Sequence, residues 1–271
     1  MEFTDTHCHI HEASVSAKGD EFVRDKWVAA GITDPLALIQ EAAQAGVTRL
    51  LCVGCTLKDS QLAVELVQNE PMCWASVGIH PHEAKDHTDK TSQDTFAELV
   101  KQPRVVAIGE CGLDFYYNHS SRADQIALLR FQLQLAQQHS LPLIFHVRDA
   151  FSDFWPVYDE FEGIKGVVHS FSTNQAELDQ ILSRGLYVGL NGIMTFTKNP
   201  EQLLAAKAIP LQNLLLETDA PFLTPAPYRG TICKPKHVVQ TAEFLAGLRD
   251  ESLAALARAT TQNACNLFGL E

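Results

Sequence analysis

The chain has 271 residues, 46 % of them hydrophobic, and a net charge of −12. That length suits one β/α barrel of about 250 residues, so residues 1–271 are expected to form a single domain. The acidic balance and the lack of a basic run exclude a protein that grips long duplex DNA through a broad cationic face, because such binding draws on many phosphate contacts.

The first residues, Met1-Glu2-Phe3-Thr4-Asp5, lack the basic region and apolar run of a secretory leader. No apolar stretch is long enough to span a bilayer. A cytoplasmic protein with no membrane partner is expected. The seven cysteines have no framework spacing, which fits a reducing compartment. Cys52-Val53-Gly54-Cys55 is a lone CxxC. It reads as buried strand, where positions i and i+3 face opposite ways, so neither a metal nor a redox role is assigned to it.

Short β-branched runs and helical patterns alternate along the chain. The first strand covers residues 3–9. A long connection over 11–34 follows, expected to be either a lid or a surface excursion with a short helix near 21–30. Residues 36–45 carry Leu36, Ile39 and Ala43 on one helical face, ahead of strands at 49–54, 74–79 and 105–109. Residues 124–139 place Ile126, Leu129, Leu133 and Ala136 at helical spacing. Strands at 143–147 and 166–169, a helix at 175–183, a strand at 186–190, a helix at 201–208 and a strand at 214–217 complete the alternation. Helices over 237–248 and 250–268 end the chain, the last one expected outside the barrel. Eight strands alternating with helices predict an α/β protein with a (β/α)8 TIM barrel; an open doubly wound sheet is the rival.

In such a barrel the C-terminal ends of the strands surround the active site. Those ends carry His7-Cys8-His9, Gly109-Glu110-Cys111-Gly112-Leu113-Asp114, His146, His169 and Glu217-Thr218-Asp219. Residues i and i+2 share a strand face, so His7 and His9 can reach one ion. Four histidines and two carboxylates, each at a strand end, predict a metal site. The mixed donors suit magnesium, manganese or zinc. A carboxylate on a middle strand can join two ions about 3.5–4 Å apart.

Several neighbours keep more than one reading. His80, in Gly78-Ile79-His80-Pro81-His82, is assigned to substrate contact over metal binding or turn capping. His11 is placed in the loop and left out, and Glu217 is read as standing behind Asp219 on the same face. Asp114 is either a turn carboxylate or part of the catalytic group. Arg148 and Arg229 either grip substrate phosphate or make structural ion pairs.

These motifs, in this order, resemble the TatD family of metal-dependent deoxyribonucleases, within the amidohydrolase-like superfamily. Asp5-Thr6-His7-Cys8-His9, Gly78–His82, Gly109–Asp114, His146-Val147-Arg148-Asp149, His169-Ser170-Phe171-Ser172, Thr195–Asn199 and Leu216–Pro221 all carry the likeness. The resemblance implies that His7, His9 and Asp219 hold one divalent metal, His146 and His169 a second, and Glu110 both. It implies a DNase, often a 3′-to-5′ exonuclease, acting on DNA that is single-stranded or entered from an end. Asp219 would be the general base toward the attacking water, with Glu110 beside it as the second catalytic carboxylate. Hydrolysis of esters, amides or lactones is the alternative, and a metal-dependent binding protein a further one. One segment departs from the family. An asparagine and a carboxylate are replaced by Cys233 and Lys234 in Tyr228-Arg229-Gly230-Thr231-Ile232-Cys233-Lys234-Pro235.

Overall fold

Eight strands line up in chain order, each parallel to the next. They are β1 (Phe3–Cys8), β2 (Val47–Val53), β3 (Cys73–Val77), β4 (Val105–Asp114), β5 (Leu143–Arg148), β6 (Gly166–Val168), β7 (Tyr187–Leu190) and β8 (Leu214–Leu216). The computed structural model describes residues 1–271. Backbone bonds just beyond β8 close the ring: Asp219 N–H donates to the His7 carbonyl at 2.8 Å, and His9 N–H donates to the Ala220 carbonyl at 2.8 Å. The expected (β/α)8 barrel is what forms, and its closing seam runs through three of the expected metal ligands.

Ten helices accompany the strands: α1 (Glu21–Ala29), α2 (Pro35–Gln44), α3 (Leu57–Val67), α4 (Lys90–Leu99), α5 (Arg122–His139), α6 (Phe151–Tyr158), α7 (Gln175–Ser183), α8 (Pro200–Ala208), α9 (Val238–Arg249) and α10 (Leu253–Phe268). Side-chain caps start most of them. Asp34, Ser121, Asn174 and Ser252 each accept a backbone N–H from the first turn of the helix they precede. No helix is long and apolar enough to cross a membrane.

The strands bury both faces, as a covered parallel sheet must. Leu50 and Cys52 pack outward under the helices, while Leu51 and Val53 join Trp74, Ala107, Ile144, Val167 and Leu215 in a second cluster inside the barrel. Ala264, Leu267 and Phe268 of α10 belong to that inner cluster. Asn263 of α10 donates to the Leu211 and Leu214 carbonyls at the start of β8. The last helix therefore plugs the N-terminal end of the barrel, a closer role than lying outside it.

Three helices escape the periodicity of the sequence. α6 is eight residues long and contains Pro156, a residue that ordinarily breaks a helix, so its sequence does not read as one. α4 has Phe96 as its one buried residue. α3 buries polar Asp59 and Ser60 in its first turn, which breaks the apolar pattern. β4 also runs five residues past its expected end at 109. Its register shifts between Ile108 and Cys111. Gly109 adopts φ +146°, and a Cβ there would meet the Ile144 side chain at 2.7 Å, so no larger residue fits ahead of Glu110.

Candidate metal centre

Glu110 lies at the centre of the barrel mouth, 5 % exposed, and its two oxygens face different histidines. Oε2 is 3.4 Å from His7 Nε2. Oε1 is 2.7 Å from His169 Nε2, 2.9 Å from His146 Nδ1 and 3.5 Å from His80 Nε2. Asp219 Oδ1 stands 3.4 Å from His9 Nε2 and 3.8 Å from His7 Nε2. All six expected ligands thus meet, and two donor sets form around the one carboxylate: His7, His9 and Glu110 on one side, His80, Glu110 and His146 on the other. His80 stands closer to the metal donors than an assignment to substrate alone requires.

A layer of polar groups aims these donors. His9 Nδ1 is 2.8 Å from the Val53 carbonyl. The buried Asp114 places Oδ2 3.0 Å from both His146 Nε2 and His82 Nε2, while Oδ1 accepts the N–H groups of Tyr116 and Tyr117. The turn reading of Asp114 holds, and the same side chain orients His146 and His82. Glu217 Oε1 accepts from Ser170 N–H at 2.6 Å and stands 3.5 Å from His169 Nδ1. Asp5 accepts the Thr218 N–H at 2.8 Å and the Thr218 hydroxyl at 2.6 Å, tying β1 to the turn that carries Asp219. Asp219 itself has a left-handed backbone, φ 60°, a conformation that Asp tolerates better than most residues. Carboxylates and carbonyls behind ligating histidines are the usual means of fixing their orientation.

The charges suit cations. Burial works against ionised Glu110, but the surrounding imidazoles outweigh it and hold the carboxyl well below its usual range. Burial likewise opposes a charged His9, yet adjacent Asp219 lifts that ring to about 9. For His80 burial wins and lowers the ring to about 4. Burial also lowers His7. Neither nitrogen of the fully buried His7 has a hydrogen-bond partner. An unpaired buried polar atom is costly, and a lone pair directed at Glu110 and Asp219 is what a cation would satisfy. Neutral His7 and His80 beside ionised Glu110 fit divalent metal binding, and the carboxylates that raise His9, His146 and His169 offer the same attraction to a cation.

The donors floor a cavity of about 1060 Å³. His80 and Arg148 line it; Arg229 does not. The Arg229 guanidinium lies 3.7 Å over the Phe196 ring and donates to the Thr224 carbonyl at 3.2 Å. An apolar partner and a local backbone acceptor take up the group expected to grip phosphate. Lys234, at the departure from the family pattern, pairs with Glu41 at 2.9 Å and ties this segment to α2.

Two features of the site were not expected. Cys55 stands beyond the end of β2, not within it, and its Sγ is 3.6 Å from Glu110 Oε2. Beneath the long first connection, His11 Nε2 meets Asp59 Oδ1 at 2.6 Å, and Asp59 Oδ2 accepts the Cys55 N–H at 2.5 Å. The HxHxH spacing of His7, His9 and His11 was the available signal for the second feature. The connection is the excursion with a short helix, α1, and it lines the cavity through Asp20, Phe22, Val23 and Lys26.

A parallel eight-stranded barrel with histidines and carboxylates gathered at its C-terminal mouth is the architecture of a metal-dependent hydrolase. The TatD-related DNase family profile matches residues 4–269. The 3′-5′ ssDNA/RNA exonuclease TatD of Citrobacter koseri is 34 % identical over 271 residues, covering 96 % of this chain and 99 % of that protein. The uncharacterized metal-dependent hydrolase YabD of Bacillus subtilis is 34 % identical over 240 residues, with 87 % and 93 % covered. The solved structure of YJJV, a TatD homolog from Escherichia coli K12, superposes with a TM-score of 0.85 at 27 % identity, over 98 % of both chains. The chain belongs to the TatD-related DNase family.

Proposed function

We propose that residues 1–271 act as one barrel domain that hydrolyses phosphodiester bonds at the ends of single-stranded nucleic acid. In this reading two divalent cations serve the reaction, drawn from magnesium, manganese and zinc. His7, His9 and Asp219 would hold one, His146 and His169 the other, and Glu110 would serve both. The observation that carries it is the division of Glu110, with Oε2 toward His7 and Oε1 toward His146 and His169. Relatives such as the exonuclease of Citrobacter koseri act on ssDNA and RNA. The unpaired thiols suit work in the cytoplasm.

When bound, the cations polarise the phosphoryl group and make an attacking water more acidic. Asp219 is the general base: His9 and His7 keep its carboxyl ionised against burial, and its side chain is 17 % exposed toward the cavity. It takes the proton as the water oxygen bonds to phosphorus. The bond from phosphorus to the 3′ oxygen breaks, its electron pair leaves with that oxygen, and the product carries a 5′-phosphate. His80, uncharged near neutral pH, donates a hydrogen bond to a phosphoryl oxygen, and Arg148 supplies charge at the cavity rim.

Single- and double-stranded oligonucleotides labelled at either end, together with an acyl ester, test the reading under each cation and under chelation. Stepwise shortening of the single strand, abolished by chelator, is expected. Ester turnover without nucleic-acid cleavage would refute it.

A further inference from the structure

The long first connection places an aromatic group over the metal centre. Asp20 caps α1, accepting the N–H groups of Phe22 and Val23. Trp27 is fully buried on the same helix, and its Nε1–H donates to the His9 carbonyl at 3.1 Å. Upstream, the buried Glu12 accepts the Asp20 N–H at 2.6 Å, and a Cβ at Gly19 would strike Glu12 Oε1 at 1.7 Å, so the chain is packed tightly into place before the helix begins. Those anchors leave Phe22 facing the cavity, 65 % exposed. One face of its ring stacks on Phe222, centroids 5.7 Å apart and planes within 16°. Lys26 Nζ stands 4.7 Å from the Phe22 centroid and 5.6 Å from that of Phe222.

A second group stands on the opposite wall. The Phe22 group rises beside β1 and β8; Tyr116 and Tyr117 follow β4, halfway around the ring. They are 58 % and 50 % exposed, and Arg148 lies 4.2 Å and 4.8 Å over their rings. Four aromatic side chains are largely exposed in this protein, Phe22, Tyr116, Tyr117 and Tyr228, and the first three line this one cavity. Scattered exposed aromatics need no explanation, but a cluster around a concave site marks a binding surface.

We propose that Phe22 and Tyr117 are stacking platforms that hold unpaired bases on the two sides of the scissile phosphate, with Lys26 and Arg148 taking the flanking phosphates. The proposal rests on the nuclease reading above and adds to it the origin of single-strand selectivity. An aromatic ring beside a cation is what an unstacked base recognises, and stacking tolerates every base because each has a π face. Bases within a duplex already stack on their neighbours and cannot use such platforms. A surface of net charge −12 offers a duplex few of the phosphate contacts that would compensate.

The test compares two single strands of equal length and charge, one carrying bases and one abasic throughout. Binding is measured with manganese in the Asp219→Asn background, so that the strands persist. The base-bearing strand is expected to bind about tenfold or more tightly, the scale of one good base–aromatic stack. Phe22→Leu and Tyr117→Leu should each shrink that ratio while abasic-strand affinity persists, which also shows that the variant is folded. Phe22→Trp, which retains a stacking face, should keep the ratio. Equal affinity of the parent for both strands, an unchanged ratio in both leucine variants, or a ratio lost in Phe22→Trp would each overturn the platforms. Failure of the Asp219→Asn parent to bind either strand, together with no phosphodiester cleavage by the unsubstituted enzyme, would overturn the nuclease reading as well.

Discussion

Glu110 Oε1 and His169 Nε2 lie 2.7 Å apart, a contact that joins β4 to the end of β6 across the mouth of the barrel. Because the other oxygen of Glu110 faces His7, one carboxylate serves both donor sets. Glu110→Ala is therefore expected to lose both cations together rather than one of them. Elemental analysis of the purified variant checks this, and full retention of metal would remove Glu110 from its shared position.

Asp219→Asn should keep the fold and lower turnover by about two to four orders of magnitude, the usual weight of a general base. The asparagine retains an oxygen donor, so metal content should fall only in part. Circular dichroism and steady-state kinetics at saturating metal are the measurements. Near-normal turnover would take Asp219 out of the proton transfer.

Cation binding should release protons at neutral pH. In the metal-free chain Asp219 raises His9 from its ordinary 6.5 to about 9, so the ring is protonated at pH 7 and a cation must displace that proton. Glu110 also raises His146 and His169 against burial, so those rings add to the release, and affinity is expected to rise with pH through neutrality. Glu110 and His80 add no protons, the first already ionised and the second already neutral. Titration calorimetry in buffers of differing ionisation enthalpy measures the release, and its absence at pH 7 would contradict the pairing of these rings with Asp219 and Glu110.

The two arginines should behave differently. Arg148 lines the cavity, so Arg148→Ala should raise KM for single-stranded DNA and reduce its salt dependence by about one phosphate contact. Arg229 lies on Phe196 away from the lining, so Arg229→Ala should leave the salt slope alone and cost about 0.5–1 kcal/mol of stability through the lost cation–π contact. Kinetics at several salt concentrations, paired with urea denaturation, separate the two.

Asp59 is 1 % exposed and serves both His11 and the Cys55 N–H. Asp59→Ala strands those partners in the interior and should destabilise the fold by about 3–5 kcal/mol, the cost of breaking a buried pair. The shift in urea midpoint measures it. A loss below about 1 kcal/mol, the scale of a surface ion pair, would mean that the contact is not held in solution.

Much of this site was legible in the sequence because strand geometry leaves little choice. His7 and His9, two residues apart at a strand end, must share a face, and Glu110, His146, His169 and Asp219 each follow a recognisable apolar run. Cys55 was misplaced for the same geometric reason: the alternation that governs Cys52 stops at Val53, two residues too soon to apply to it. The contact of Arg229 with Phe196, which reaches it from the segment after β7, could not be read because nothing in the local sequence reveals it. The helices that went unseen have short or interrupted apolar patterns: α6 carries an internal proline, α4 fully buries only Phe96, and α3 buries polar Asp59 and Ser60 in its first turn.

The hydrogen bond from Trp27 to the His9 carbonyl has an optical consequence. The indole is hung directly from a backbone unit whose side chain belongs to the metal centre, while the other two tryptophans, Trp74 and Trp155, lie in the inner cluster and on α6. Intrinsic emission from Trp27 should therefore serve as a built-in gauge of cation loading. A single-tryptophan version of the chain would let metal arrival and the position of α1 be followed together in real time, without a label or a substrate.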